Sequence, residues 1–266
     1  MNLSFKLTNK CNYKCKYCYL APTKKTTNLK LEHFDKFLQF ADPKKDLITL
    51  SGGEPTLHPE IDKILRRLEH HQIRICTNGT YLQNIIQMLV PEHTTIDLSF
   101  HYFNRQIKNA ISLLIKYKIE YFINIVIHDA TKNRLKEIIE HTKPTKNYHL
   151  LHPTATDSNT IDEIQENQWR TLVKTAKIIF DKYNKKVFYE KSYKDKTDNY
   201  FRKKICSGTY SNFIDEYGRI YPCSFGPEYG LPSLKKTGSI NFHSNCPYLK
   251  SSIDKTKTCP FFMVLL

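Results

Sequence analysis

Residues 47–79 read LITLSGGEPTLHPEIDKILRRLEHHQIRICTNG, and this stretch decides the class of fold. Leu47–Leu50 is a brief apolar strand that gives way to Gly52 and Gly53. Ile61, Ile64, Leu65 and Leu68 then recur at helical spacing, and Pro59 suits a first helical turn, where its missing N–H costs nothing. Ile73–Cys76 is a second strand and runs into Thr77-Asn78-Gly79. Strand, helix and strand in that order make a parallel pair joined by a crossover.

The same unit repeats on both sides. Leu3–Leu7 is a strand, followed by a helix carrying Phe34, Phe37, Leu38 and Ala41. Downstream come a helix over Leu82–Leu89, a strand over Thr95–Phe100, and a helix with Ile107, Ala110, Ile111, Leu114 and Ile115 on one face. Tyr121–Ile127 is the most β-branched run and reads as a buried strand. Leu135, Ile138 and Ile139 mark a further helix, and Tyr148–Leu151 a further strand. Thr160 and Glu163 form a capping box for a long helix with Trp169, Leu172, Val173, Ala176 and Ile179. The expectation is an α/β fold of about six strand–helix units, too few for an eight-unit barrel. Periodicity leaves open a partial barrel and a doubly wound sheet. In both, ligands bind at the carboxyl ends of the strands, so the Cys11–Cys18 loop, Gly52–Glu54 and Thr77–Gly79 share one rim.

Composition narrows the class of protein. The chain has 266 residues, 40% hydrophobic and 25% charged, enough to bury a core without staples and too apolar for a disordered chain. Met1–Lys10 lacks a signal-peptide apolar core, and no apolar run reaches membrane-span length, so the expectation is a cytoplasmic protein with no membrane contact. Forty-one basic residues against 26 acidic ones give a formal charge of +15. That charge permits nucleic-acid or acidic-substrate binding, but richness in Lys, Ile, Asn and Tyr points to a general compositional bias. The basic, aromatic stretch 186–204 is read as a solvated linker in preference to a nucleic-acid surface.

Eight cysteines stand at positions 11, 15, 18, 76, 206, 223, 246 and 259. Their clustering at the two ends suggests two metal sites, with Cys76 as a small core residue in a strand beside Ile73 and Ile75. In Cys11-Asn-Tyr-Lys-Cys15-Lys-Tyr-Cys18, three thiolates fall in one short loop with no fourth Cys or His nearby in sequence. Structural zinc takes four protein ligands, whereas a cubane held by three cysteines keeps one iron open.

With Ser51-Gly52-Gly53-Glu54-Pro55 and Thr77-Asn78-Gly79 following in order, the sequence resembles the radical S-adenosylmethionine (radical SAM) superfamily. The resemblance implies a partial (β/α)6 TIM-like barrel over residues 1–185, with Cys11, Cys15 and Cys18 on a 4Fe-4S cluster whose fourth iron is chelated by the methionine part of S-adenosylmethionine. It also implies that Gly52 and Gly53 admit the methionine moiety closely, and that Glu54 lies near its amine or braces the loop. Thr77 and Asn78 join the cofactor site, Tyr17 lies near the adenine, and Ser99 is a candidate for the ribose hydroxyls or the methionine carboxylate. The implied reaction is reductive cleavage of the sulfonium to a 5′-deoxyadenosyl radical, which takes hydrogen from a substrate C–H bond. A flavodoxin- or ferredoxin-type electron donor is the implied partner.

Residues 205–266 resemble the SPASM and twitch extensions of this superfamily, a small hairpin-and-helix domain for an auxiliary cluster. Phe213-Ile214 and Arg219–Tyr221 flank a turn of Asp215, Glu216, Tyr217 and Gly218, so Cys206 and Cys223 bracket a hairpin. The resemblance implies that Cys246 and Cys259 complete the ligands of a second 4Fe-4S cluster, although only four cysteines remain for it. A structural zinc on the same four thiolates is the alternative. The favoured function is modification of a ribosomally made peptide, with a separate leader-peptide carrier or direct binding by the basic linker. The alternative is a twitch-type dehydrogenase or modifying enzyme for a small sugar, nucleoside or nucleic-acid substrate. A non-catalytic cluster-binding protein is the third reading, and the intact cysteine and glycine motifs weigh against it.

Overall fold

A computed structural model describes residues 2–15, 18, 25–101, 104–127, 131, 133–151, 166–189 and 211–221. The first half holds β1 (Asn2–Thr8), α1 (Leu31–Leu38), β2 (Leu47–Gly52), α2 (Ile61–Arg67), β3 (Gln72–Thr77) and β4 (Thr94–Ser99). Then come α3 (Ile107–Lys116), β5 (Glu120–Val126), α4 (Leu135–His141), β6 (Asn147–Leu151), α5 (Glu166–Lys182) and β7 (Lys186–Tyr189). A hairpin of β8 (Ser211–Ile214) and β9 (Ile220–Tyr221) completes the described elements.

The strands form one sheet in the order β7-β6-β5-β4-β3-β2-β1-β8-β9, with β1 to β7 parallel throughout. Each new strand is added on the same side of the last. Right-handed crossovers then place the connecting helices on one face, whereas a doubly wound sheet reverses direction at a switch point. The sequential order settles the alternative that periodicity left open, in favour of an open, singly wound sheet of the barrel type. The sheet is not closed: β7 and β9 stand at its two ends.

Alternation along each strand sorts the two faces. Phe5, Leu50, Ile75, Ile96, Ile123 and Tyr148 point to the helices and pack with Phe34, Ile64, Ile111, Leu114, Ile138 and Phe180 in one apolar cluster. Full burial of each such side chain contributes roughly 1.5–3 kcal/mol. The intervening residues Thr49, Arg74, Asp97, Asn124 and His149 occupy the opposite face, which is polar.

Four differences from the sequence reading have physical causes. Leu82–Leu89 is not a continuous helix but two 3₁₀ turns, Leu82–Asn84 and Ile86–Met88; these still bury Leu82, Ile85, Ile86 and Leu89, so the apolar spacing is satisfied without an α-helix. Lys186–Tyr189, assigned to the linker, pairs with β6 as a seventh parallel strand. The hairpin expected in a separate auxiliary domain forms as predicted but continues the main sheet, because β8 runs parallel beside β1 with Phe5 opposite Ile214. Cys76 lies outside the apolar core: with Ile73 and Ile75 facing the helices, parity turns its thiol to the other face, 3.8 Å from Asp97 Oδ2. The Thr160–Glu163 cap and residues 190–210 and 222–266 lie outside the described residues. Among the described residues, no helix is long and apolar enough to cross a membrane.

Candidate active site

The carboxyl ends of β1, β2, β3 and β4 carry the rim. Where β1 ends, Thr8 Oγ1 donates to Asn28 Oδ1 at 2.6 Å, and Asn9 is tied to Thr27 through both backbone and side chain. These bonds close the base of the excursion that holds Cys11, Cys15 and Cys18. Inside it, the Cys18 N–H donates to the Cys15 carbonyl at 3.1 Å, and the Tyr13 N–H donates to Cys11 Sγ at 3.4 Å.

The loop after β2 lies directly against this excursion. Gly53 N–H donates to the Thr8 carbonyl and Glu54 N–H to the Lys10 carbonyl, both at 2.8 Å. A Cβ on Gly52 would fall 2.5 Å from the Thr8 oxygen, and one on Gly53 2.4 Å from the Lys10 oxygen. The chain itself therefore requires the glycine pair: the backbone entering the cysteine loop occupies the space a side chain would need.

Glu54 is fully buried, and its carboxylate braces the rim. Oε1 accepts from Thr56 Oγ1 at 2.6 Å, Thr77 Oγ1 at 2.7 Å and the Thr56 N–H at 3.2 Å, while Oε2 accepts from the Asn78 N–H at 2.7 Å. Burial raises its proton affinity, and these donors act against that rise. These bonds brace the glycine loop against the Thr77–Asn78 turn. Asn78 passes the connection on: its Nδ2 donates to Asn12 Oδ1 at 2.8 Å, Asn12 Nδ2 donates to Thr80 Oγ1, and Thr80 Oγ1 donates to the Tyr13 hydroxyl. Asn104 Nδ2 donates to the Asn78 carbonyl at 2.7 Å. One network thus joins the cysteine loop, the glycine loop and the Thr77–Gly79 turn.

The three rim cysteines are free thiols; Cys11 and Cys18 are exposed and Cys15 is half-buried. Burial, followed by the nearness of Cys18 and Cys11, pushes the Cys15 thiol up to about 12. Burial also raises Cys11. A shared cationic centre would favour the deprotonated form of all three thiols. Among the described residues, no group of three or more His, Cys, Asp or Glu side chains is close enough to hold a single metal ion. Three soft donors on one loop fit an iron–sulfur cubane held by three cysteines, with one iron free.

Ser99 ends β4, with Asn124 beside it on β5. His101 follows, its Nδ1 3.6 Å from Cys15 Sγ and its ring edge-on to Tyr13 at 5.4 Å. Burial lowers its pKa to about 4, so it is neutral at ordinary pH. Tyr17, Cys206, Cys223, Cys246 and Cys259 lie outside the described residues. Sequence reasoning missed Asn12, Tyr13, Thr80 and Asn104, whose contacts span distant segments and leave no periodic trace. It also missed Arg74, Asp97, Asn124 and His149 on the polar face. Their signal was available in the alternation of β3 to β6, where a polar side chain repeatedly separates two buried apolar ones.

Known proteins carry the same framework. A Methanocaldococcus jannaschii protein named "Putative glycyl-radical enzyme activating enzyme" is 31% identical over 134 residues, 46% of this chain and 52% of that one. A GTP 3′,8-cyclase of Microcystis aeruginosa is 31% identical over 101 residues, 33% of this chain and 30% of its own. The matches therefore span about half, or less, of these relatives' lengths. In fold, Streptococcus suis SuiB bound to its precursor peptide SuiA superposes with a TM-score of 0.74 at 14% identity, covering 99% of this chain and 74% of that one. The family model described as Radical SAM superfamily matches residues 5–166, which include the cysteine loop, the glycine pair and the turn after β3. The geometry of that rim and a match across most of the sheet agree, and the chain belongs to the radical SAM superfamily, a family of enzymes.

Proposed function

We propose that this protein cleaves S-adenosylmethionine reductively and modifies a polypeptide substrate by hydrogen abstraction. The observation that carries the first part is the continuous rim network, which fixes three free thiols against the glycine pair. Cys11, Cys15 and Cys18 would hold the 4Fe-4S cluster. When bound, that cluster and the sulfonium together supply one-electron C–S cleavage and a carbon radical able to take hydrogen from a C–H bond.

The chain's own residues bind and orient. Glu54 holds the Thr77–Asn78 turn at a fixed distance from the cysteine loop, and the backbone beside Gly52 and Gly53 offers polar groups to the methionine moiety. Ser99, at the end of β4, is proposed to meet the ribose hydroxyls or the methionine carboxylate, and Tyr17 the adenine.

A polypeptide substrate is supported by two likenesses: SuiB, of the same fold, is seen with a precursor peptide, and the archaeal relative is named for activating an enzyme. The GTP 3′,8-cyclase relatives favour a second reading, a nucleotide or other small-molecule substrate. Cys206, Cys223, Cys246 and Cys259 are proposed as thiols of an auxiliary cluster. The pairing of Phe213 with Tyr221 supports this, since it brings together the two strand ends that lead toward Cys206 and Cys223. A flavodoxin- or ferredoxin-type protein is proposed as electron donor, and a separate carrier is proposed to deliver the peptide.

The test is anaerobic reconstitution followed by turnover with deuterated candidate peptides and, in parallel, deuterated nucleosides. Deuterium in 5′-deoxyadenosine from a peptide is the expected result. Transfer from a nucleoside alone refutes the polypeptide reading, and no deoxyadenosine even in substrate-free turnover refutes the cleavage itself.

A further inference from the structure

On the polar face of the sheet, unpartnered atoms lie beside an aromatic wall. Arg74 Nη1 is 3.8 Å from Asp97 Oδ2, and His149 Nδ1 is 3.9 Å from Asp97 Oδ1; both gaps exceed hydrogen-bond distance. Arg74 Nε and Asp97 Oδ1 are buried with no hydrogen-bond partner, a donor and an acceptor left unsatisfied within one cluster. Asp97 is only 6% exposed, whereas the side chains of Arg74 and His149 keep about a fifth of their surface open. Buried orphan atoms cost free energy until something satisfies them.

The wall stands next to them. His149 stacks on Phe122 at 4.4 Å with 8° between the rings, and Phe188, 40% exposed, meets both edge-on at 5.7 and 5.5 Å. His149 Nδ1 lies 3.1 Å from Asn124 Oδ1; the tautomer that donates there from Nδ1 leaves Nε2 an acceptor. Asn124, His149 and Phe188 extend the register row of Ser99 across β5, β6 and β7, so the wall leads away from the rim. Arg74 and Asp97 carry opposite charges, so this pair adds no net charge to the cluster.

We propose that this face binds an uncharged planar amide-type group of the substrate, seated against Phe122, His149 and Phe188 and completed by Arg74 Nε and Asp97 Oδ1. The proposal deepens the reading above and rests on it for the meaning of "substrate". An amide presents a donor and an acceptor side by side, matching the two orphans. Entry breaks no hydrogen bond at either atom, because neither atom makes one. The same chemistry is offered by a peptide amide and by the edge of a nucleobase.

The test uses the full chain and three probes: N-acetyl-phenylalaninamide, its free acid N-acetyl-phenylalanine, and guanosine. Binding is measured by calorimetry and by the His149 ring signals in NMR, assigned with His149→Gln. The amide is expected to bind at least tenfold more tightly than the acid and to shift the His149 signals. Arg74→Met combined with Asp97→Ala is expected to abolish that preference; if the double variant does not fold, the wild-type comparison decides alone. Guanosine binding more tightly than the amide, with the His149 shift, keeps the site and assigns it to nucleobases. Equal binding of amide and acid, or an unmoved His149, overturns the proposal. S-adenosylmethionine binding, measured on the same sample, separates the two readings: amide discrimination without it overturns the proposed function alone, and the reverse overturns this site alone.

Discussion

The two faces of the sheet follow opposite rules. The helix-covered face is apolar and largely buried from Phe5 to Tyr148, and its residues chiefly pack. The opposite face and its rim carry free thiols, a buried carboxylate with four donors, orphaned polar atoms and two neutral histidines. Stability is concentrated on one side and chemistry on the other, and the strand's two-residue period separates them within a single segment. Glu54 is where the two meet, since a fully buried group holds the rim together.

Substitutions can break this division. The largest effect is expected for Cys15→Ala: deoxyadenosine formation by the reconstituted chain should fall by more than about 100-fold, with cluster iron lost and the denaturation midpoint of the metal-free chain little changed. A large loss of metal-free stability would show that the rim also carries the fold. Next, Leu50→Ala on the covered face should cost about 2–5 kcal/mol in denaturant unfolding, whereas Thr49→Ala on the opposite face should stay within about 1 kcal/mol. Equal costs would erase the distinction between the faces.

Glu54→Gln should fall between these. Its amide NH₂ would face the Asn78 N–H or the Thr56 and Thr77 donors, leaving a buried donor opposed by donors. A loss of about 1–3 kcal/mol is expected, together with weaker S-adenosylmethionine binding as the Thr77–Asn78 turn loosens. Stability loss without any change in cofactor affinity would detach Glu54 from the rim.

The smallest effect concerns pH. Burial, with the Arg74 charge, lowers the His149 pKa from 6.5 to about 4. Between those values the unfolded chain holds a proton that the folded chain does not, so the stability attached to a neutral His149 is complete above pH 6.5 and declines as pH falls toward 4. Asp97 and Glu54, raised by burial, titrate in the opposing sense. The difference between wild type and His149→Gln across that window isolates the imidazole: the variant should show the shallower acid decline. Parallel curves would place His149 in contact with water.

Much of this was legible in the chain because the relevant forces are local. The six expected strands correspond to β1–β6, since alternating aliphatic residues signal a strand packed on one side. The rim motifs were legible too, because three cysteines in eight residues and paired glycines are dense chemical signals. The Leu82–Leu89 segment misled because apolar spacing records which residues must be buried, and successive 3₁₀ turns bury them as well as an α-helix does. β7 was hidden because an edge strand of only four residues, set among the flanking Lys182, Lys185, Lys191 and Lys194, looks like part of a solvated linker.

The sequence by itself determined the strand–helix alternation, the buried face of each strand and the reactive loop, all set by side-chain chemistry at short range. Only the tertiary structure decided that the sheet is singly wound, that the hairpin joins β1, and that Glu54 reaches Asn78 while Arg74, Asp97 and His149 gather on one face. Those outcomes depend on which strand pairs with which and in what register, and register relates residues tens of positions apart that carry no mark of one another.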